Sequence, residues 1–395
     1  MPYKSIRDLD LAGKRVFIRV DFNVPLDETG TLITSDTRIR AALPTIKLAL
    51  GKGAAIILAS HLGRPKGKPN PKMRLDPVAA RLAELLGRDA KMAPDSVGKE
   101  VGRLVSELSS GDVLLLENLR FHCGEETNDS NVAEQLAGLC DVYINDAFGA
   151  AHRAHASTSG MVGFVSEAAA GLLMEKELQY LSMAVSNPER PYVAIVGGAK
   201  ISGKIDVLRK FLQLADKVLI GGAMTYTFLK AQGVAIGSSL VEDDKLGVAR
   251  EVMDQGGDKL LLPIDHVIAK DLTAESDTRL VDGTSEPIPK GWKGLDIGPR
   301  TIAVYSEAIS KARTIVWNGP MGVFEVEPFA AGTLAVAHAV AGSAATSIVG
   351  GGDSEKAIRA AGLSDSITHI STGGGASLEF LAGEKLPGVE ALVGR

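Results

Sequence analysis

Short apolar runs alternate with amphipathic helical stretches along nearly the whole chain, and that rhythm sharply limits the folds open to it. Residues 16–20 (VFIRV), 54–59 (AAIILA), 113–116 and 142–144 read as strands. So do 193–196, 218–220, 266–269, 314–317, 346–349 and 368–370. Between them lie helical patterns. Asp36 opens one with Ile39, Leu43, Ile46 and Leu50 at helical spacing, and 75–86 and 132–139 are others. AAIILA shows no polar alternation, as expected of a strand buried on both faces. Strand, helix, strand with short links predicts a parallel sheet covered by helices on both faces, and the pattern runs twice. At 395 residues the chain is long enough for two such domains. A long helical pattern at 166–186, with Leu173, Glu177, Leu181 and Val185 four apart, ends at Asn187-Pro188. It reads either as a rigid hinge between two sheets or as a crossover helix inside one large domain. The expected fold class is α/β, with two doubly wound parallel sheets joined by that helix.

Composition removes several function classes. A net charge of −5 excludes a generally basic nucleic-acid coat and an acidic disordered tail. Aromatic residues are 5%, too few for a base-stacking platform. Cys123 and Cys140 are the two cysteines, which can form neither a disulfide framework nor a four-cysteine zinc site. The stretch MPYKSIRDLD has no apolar core of a signal peptide, and no run reaches the ~18 apolar residues of a membrane span. A soluble, cytoplasmic protein is expected, so the glycosylation pattern at Asn128 is taken as an accident of composition.

Ligands of open parallel sheets bind beyond the C-terminal ends of strands. In the first half those positions carry Asp21-Phe22-Asn23, His61-Leu62-Gly63-Arg64, Arg120, and His152-Arg153-Ala154-His155. Arg38 lies early in the first helical stretch. Taken singly, a loop arginine is an ordinary solvated side chain. Taken as a set at successive strand ends, these guanidinium forks fit a small, highly anionic molecule.

In the second half the strand ends carry glycine: Gly197-Gly198-Ala199-Lys200, Gly221-Gly222, Asn318-Gly319, Gly350-Gly351-Gly352-Asp353-Ser354 and Gly373-Gly374-Gly375. Glycine lets backbone N–H groups approach phosphate closely, and helix N-termini behind such loops favour anions. Five such loops point to a nucleotide. Residues 198–204 match G-x-x-x-x-G-K, but Ile205 stands where a P-loop needs Ser or Thr, so that reading is rejected. Lys200 and Lys204 are expected one helical turn apart, aimed at the same phosphates. His152 and His155 have no evident third ligand for zinc. Asp353 is the better candidate, for Mg²⁺, with an N-cap role for it or Ser354 as the alternative.

These residues resemble the phosphoglycerate kinase family. The resemblance rests on RVDFNVP (19–25), DTRI (36–39), SHLGRP (60–65), LENLRF (116–121) and DAFGAAHRAHAS (146–157) in the first half. GGAKISGKI (197–205), KGLDIGP (293–299), WNGPMGVFE (317–325), GGGDS (350–354) and STGGGAS (371–377) follow in the family's order.

The resemblance implies Rossmann-like domains at 1–165 for phosphoglycerate and 187–379 for nucleotide. It implies hinge bending about 166–186, and a C-terminal segment, 380–395, returning to the first domain. It implies reversible phosphoryl transfer between 1,3-bisphosphoglycerate and MgADP. Asp21, Phe22, Asn23, Arg38, His61, Leu62, Gly63, Arg64, Arg120 and Arg153 would hold phosphoglycerate. Gly198, Lys200, Lys204, Gly294, Asn318, Glu325, Gly351, Gly352, Asp353 and Ser354 would hold ATP or ADP, with Asp353 on Mg²⁺. Arg38, Lys200, Gly352 and Gly374 would act on the phosphoryl group in flight. A monomer binding neither nucleic acid nor membrane is expected. The chain departs from the common pattern at Gly203, where Asp is frequent, at His122 and Cys123, and at Ser354, where other members carry Thr. Gly203 is expected to loosen the first turn of its helix by up to ~1 kcal/mol. A kinase for another acyl phosphate and a silent binding protein of the same descent are the rival readings.

Overall fold

Val16, Phe17 and Ile18 have no solvent exposure in the computed structural model of the chain, which describes residues 3–283 and 286–395. Met1 and Pro2 of the N-terminal stretch read above lie outside the described residues. Successive residues of this first strand are thus covered on both faces of the sheet.

That strand, β1 (Arg15–Arg19), belongs to a six-stranded parallel sheet with β2 (Ala55–Ala59), β3 (Lys91–Met92), β4 (Val113–Leu115), β5 (Val142–Asn145) and β6 (Ala168–Ala170). The order is β3-β4-β2-β1-β5-β6. The chain leaves β1 in one direction for β2 and returns on its other side as β5, so the strand order reverses between β1 and β5. The helix Thr37–Gly51 covers the sheet with Ile39 and Ile46, which join Ile18, Ile56 and Leu58 in one buried cluster.

The second half begins with β7 (Tyr192–Val196), β8 (Lys217–Ile220) and β9 (Leu260–Leu261). Then come β10 (Asp265–Ala269), β11 (Arg279–Asp282) and β12 (Lys293–Ile297), and finally β13 (Thr314–Asn318), β14 (Thr346–Gly350) and β15 (His369–Ile370). A second six-stranded sheet runs β15-β14-β13-β7-β8-β9, with every pair parallel. Its order reverses between β7 and β13. Fully buried Trp317 anchors its core with Ile195, Tyr305 and Val336.

Two expectations need correction. The strand at 266–269 is not part of the parallel set. As β10 it pairs antiparallel with β11 and β12 in a separate three-stranded sheet, with a register shift between Val267 and Ile268. The helix expected from residue 166 begins only at Leu172 and runs to Ser186. Residues 168–170 instead form β6, in register with Tyr143, Ile144 and Asn145. Alanine's high helix propensity conceals a strand there, and sheet pairing overrides it.

By internal contacts the chain divides into two compact units, Met1–Gln179 with Lys385–Arg395, and Tyr180–Glu384. The C-terminal segment is fixed to the first unit by Gly388, whose N–H donates to Ala151 O at 2.8 Å and whose carbonyl accepts from Asn145 Nδ2 at 3.1 Å. Among the described residues no helix is long and apolar enough to cross a membrane.

Candidate active site

In the first unit the chemistry gathers where β1, β2 and β4 end. Asp21 follows β1 and accepts a hydrogen bond from Arg38 Nη1 at 3.0 Å. Burial alone would raise the Asp21 carboxyl, but the guanidinium groups of Arg38 and Arg19 hold it below the ordinary carboxylate range. Asn23 Oδ1 accepts from Gly63 N–H at 2.9 Å, which ties the loop after β1 to the loop after β2. Phe22 is itself fully buried, and its N–H donates to Ser60 Oγ at 2.8 Å.

Arg120 lies in a short 3₁₀ turn, Leu119–Phe121, beyond β4. Its Nη1 donates to Gly63 O at 2.9 Å and its Nε lies 3.2 Å from Glu126 Oε1. Arg120 is within electrostatic range of His61, Arg19 and Arg153. Arg153 is exposed, with Nε 3.2 Å from His152 Nε2. Arg64 is exposed and has no ion pair among the described residues. His155 is buried and held neutral, its pKa pushed down to about 3 by burial and by Arg120, Arg19 and Arg153. The strand ends thus bring His61, Arg38, Arg120 and Arg153 into one electrostatic neighbourhood, while Arg64 projects into solvent.

The residue that organises these loops is one that the strand-end pattern of arginines and glycines does not single out. Asn118 Oδ1 accepts from the N–H groups of Leu62 and Arg120, at 3.2 and 3.1 Å, and its Nδ2 donates to Leu62 O and Met73 O at 2.8 and 2.9 Å. Every hydrogen-bonding site of that amide holds a loop in place. Its position inside LENLRF was the available signal.

In the second unit the reversal between β7 and β13 is lined by backbone. A Cβ on Gly197 would stand 2.1 Å from Pro320 O, and one on Gly319, whose φ is +94°, 2.3 Å from Gly197 O. Only glycine allows these strand ends to approach so closely. Lys204 reaches back into the gap. Its Nζ donates to Gly197 O, Asn318 O and Asn318 Oδ1 at 2.5, 3.1 and 2.7 Å. Burial pushes its pKa down to about 8, against the pull of Asp353. The helix beyond begins only at Ile205. Lys200 and Lys204 therefore do not share a helical turn as expected, and Lys200 is exposed. Gly203 also precedes that helix, so the expected loosening of its first turn does not arise.

Next to this gap is a cavity of about 460 Å³, lined by Gly198, Gly222, Gly294, Leu295, Glu325 and Asp353 among others. Gly294 N–H donates to Ser239 Oγ at 2.9 Å, and a Cβ there would meet Tyr226 Oη at 2.0 Å. The helix Gly352–Ala360 starts at the end of β14, and Gly375–Ala382 follows Gly374. Open space surrounds the Cβ positions of both Gly352 and Gly374. Ser354 is buried and accepts from Gly319 N–H at 2.6 Å, while Asp353 is exposed and pairs with Lys356 at 3.1 Å. Neither caps the helix, whose N-cap is Gly351 at φ +92°. Asn318 Nδ2 is buried without a partner among the described residues, which leaves a donor directed into this region.

The phosphoglycerate kinase family model matches residues 6–384. The chain belongs to the phosphoglycerate kinase family. A curated phosphoglycerate kinase of Solibacter usitatus is 62% identical over 395 residues, spanning 99% of this chain and all of that one. That of Koribacter versatilis is 58% identical over 401 residues, spanning 99% of each. Among solved structures, phosphoglycerate kinase from Coxiella burnetii matches with a TM-score of 0.89 at 41% identity, covering 99% of both chains. The Pyrococcus horikoshii enzyme matches with a TM-score of 0.87 at 36% identity, covering 98% of both. Both structural matches extend over the two six-stranded parallel sheets described above.

Proposed function

We propose that this chain catalyses reversible phosphoryl transfer between the C1 acyl phosphate of 1,3-bisphosphoglycerate and MgADP, giving 3-phosphoglycerate and MgATP. The observation that carries the reading is the division of chemistry between the units. One gathers guanidinium and imidazole groups at strand ends. The other has a glycine-lined cavity beside a buried lysine. The first suits a small polyanion and the second a nucleotide. Family membership supports both assignments.

An acceptor carboxylate is already ionised at neutral pH, so the transfer needs no general base. It needs positioning, and neutralisation of charge on the group in flight. Arg38 is half-buried and braced by Asp21, so its guanidinium is oriented before substrate arrives. Lys200 is free in solvent to supply a second positive charge. The open N-termini at Gly352 and Gly374 supply backbone N–H groups. Among the described residues no three His, Cys, Asp or Glu side chains converge to hold a metal, so Mg²⁺ would take Asp353 together with phosphate oxygens and water. Its chemistry there is charge neutralisation on the phosphates.

The test is 3-phosphoglycerate-dependent ADP formation from MgATP, with a downstream dehydrogenase removing product. Turnover is expected in the wild type, with a loss on the order of 10²- to 10³-fold in Arg38→Ala. A folded, nucleotide-binding wild type without turnover would return the protein to the silent-binder reading. In the same reading it is a cytoplasmic monomer acting on small molecules only. Acceptor and nucleotide are brought together by bending about the helix Leu172–Ser186, which excludes water from the acyl phosphate. Small-angle scattering without compaction when both ligands are bound would count against that closure.

A further inference from the structure

Behind the first-unit loops lies a buried charge whose partners are unusual. Arg19, the last residue of β1, is completely buried, yet among the described residues no carboxylate touches its guanidinium. Its Nε donates to Ser157 Oγ at 2.8 Å, and its Nη1 donates to Val20 O. Ser157 in turn donates from Oγ to Glu125 Oε1 at 2.6 Å and from its N–H to Glu125 Oε2 at 2.9 Å. Glu125 is 1% exposed, so the guanidinium and the carboxylate are two buried charges joined through one hydroxyl. With its single proton committed to Glu125, that hydroxyl can only accept from Arg19. The guanidinium is thereby fixed in rotation, and its remaining terminal nitrogen, Nη2, lies 3.2 Å from His61 Nδ1.

Guanidinium has donors and no acceptor, and it does not deprotonate in proteins. Nδ1 of His61 must therefore present its lone pair to Arg19, and the ring proton must be on Nε2. Asp21 Oδ1 is 3.9 Å from the same Nδ1, beyond hydrogen-bond reach. Among the described residues nothing bonds to Nε2, and that atom is not shut away from solvent. The charged groups around the ring are Asp21, which favours a second proton, and Arg19, Arg120 and Arg38, which oppose it. Burial adds to the arginines, and the ring's pKa falls well below its ordinary value.

We propose that Arg19, braced through Ser157 by Glu125, is a positioning residue that holds His61 as its neutral Nε2–H tautomer, so that His61 meets the acceptor's anionic oxygens as a fixed N–H donor. The inference deepens the acceptor-site reading given above and rests on it for the identity of the anion. It does not rest on it for the state of the ring. A neutral donor takes up and releases no proton as anions come and go, unlike an imidazolium.

Long-range ¹H–¹⁵N NMR of the full chain with ¹⁵N-histidine reads the tautomer directly, with His61 assigned by the signal missing from His61→Gln. The expected spectrum has a protonated Nε2 and a lone-pair Nδ1, unchanged between about pH 5 and pH 8. In Arg19→Met, Nδ1 loses its donor. The two tautomers should then mix, and KM for 3-phosphoglycerate should rise about tenfold or more, with kcat less affected. Ser157→Ala keeps the guanidinium and frees its rotation, so it should shift the same signals and KM by less. It carries the test if Arg19→Met does not fold. An Nδ1–H tautomer, a ring that titrates in the wild type, or both variants keeping the wild-type spectrum would each overturn the inference. A fixed tautomer in a protein that does not turn over 3-phosphoglycerate would instead overturn the proposed reaction and leave the ring assignment standing.

Discussion

Asp146 caps the helix that begins at Leu172 by accepting the Leu173 N–H on Oδ1 at 2.9 Å. The same oxygen accepts from Met174 N–H at 3.3 Å, and a Cβ on Gly171 would stand 2.2 Å from it. Residue 171 must therefore leave room for the carboxylate, and the helix cannot extend back through the three alanines before it.

The cap has a cost that depends on pH. Burial pushes the Asp146 carboxyl up to about 7, against hydrogen bonds from Thr45, Met174 and Leu173. Its Oδ2 is buried with no hydrogen-bond partner among the described residues. The folded state therefore holds this proton up to about pH 7, whereas the unfolded chain releases it near pH 4. The sign follows from linkage: stability is greatest below about pH 4 as far as this group is concerned, and it falls as pH rises through about 7. The full span is at most about 4 kcal/mol. Asp146→Asn keeps an acceptor and removes the ionisation. Calorimetric Tm measured between about pH 5 and pH 8 should fall less steeply in the variant. Some slope should remain, because burial also pushes Asp296 up to about 7. Parallel Tm profiles for wild type and variant would mean that Asp146 does not titrate in this range.

Lys204 supplies a second pH dependence, on binding. All three Nζ protons are taken by protein oxygens, so holding a phosphate requires the amine to exchange one of them. Its pKa of about 8 means the free protein loses this charge as pH rises past about 8, while a bound phosphate favours the charged form. ADP affinity should therefore fall on the alkaline side, and binding there should take up protons. Calorimetric titration in buffers of different ionisation heat measures the uptake. Lys204→Met should bind roughly 10- to 100-fold more weakly, with no uptake from this group.

The strand ends explain which parts of the fold are readable in the sequence. β2 and β7 are buried on both faces and read as unbroken apolar runs, while β1 and β13 keep an apolar centre between polar ends. β3 and β9 are two residues long, too short for any period. The strand at 266–269 is legible as a strand, but its antiparallel direction is set by partners 11 or more residues away. In the site, the arginines and glycines stand out because their residue types carry the chemistry directly. Asn118, Ser157 and Glu125 do not, because each acts by joining segments 32 to 56 residues apart.

Gly319 and Gly203 separate a required glycine from a permitted one. Gly319→Ala would force a Cβ to 2.3 Å from Gly197 O and 2.5 Å from Lys204 Nζ, at φ +94°. Backbone strain and the clash together should cost about 3 kcal/mol and weaken ADP binding. Gly203 has open space around its Cβ position and no positive φ. Gly203→Ala should change stability by no more than about 0.5 kcal/mol and leave ADP affinity unchanged. Denaturant melts with and without ADP check both, and equal effects at the two sites would remove the close-approach argument.

Asn118 gives the sharpest test of how the acceptor side is built. Its amide satisfies two backbone donors and two backbone acceptors at once, all in buried or partly buried surroundings. Asn118→Asp is nearly isosteric, but it turns the NH₂ group into an oxygen facing the carbonyls of Leu62 and Met73. Two acceptors then lose their donor and gain a repulsive neighbour, which should cost about 3 kcal/mol or more. Asn118→Ala leaves the same groups unpaired without adding charge and should cost less. The two variants should also differ in function, because the loop they release carries His61, Gly63 and Arg64. KM for 3-phosphoglycerate should rise in both, more in the Asp variant, while ADP affinity, which depends on the other unit, stays at the wild-type value. If ADP affinity falls in parallel with stability, the substitutions have unfolded the chain generally, and Asn118 has no particular hold on the acceptor loops.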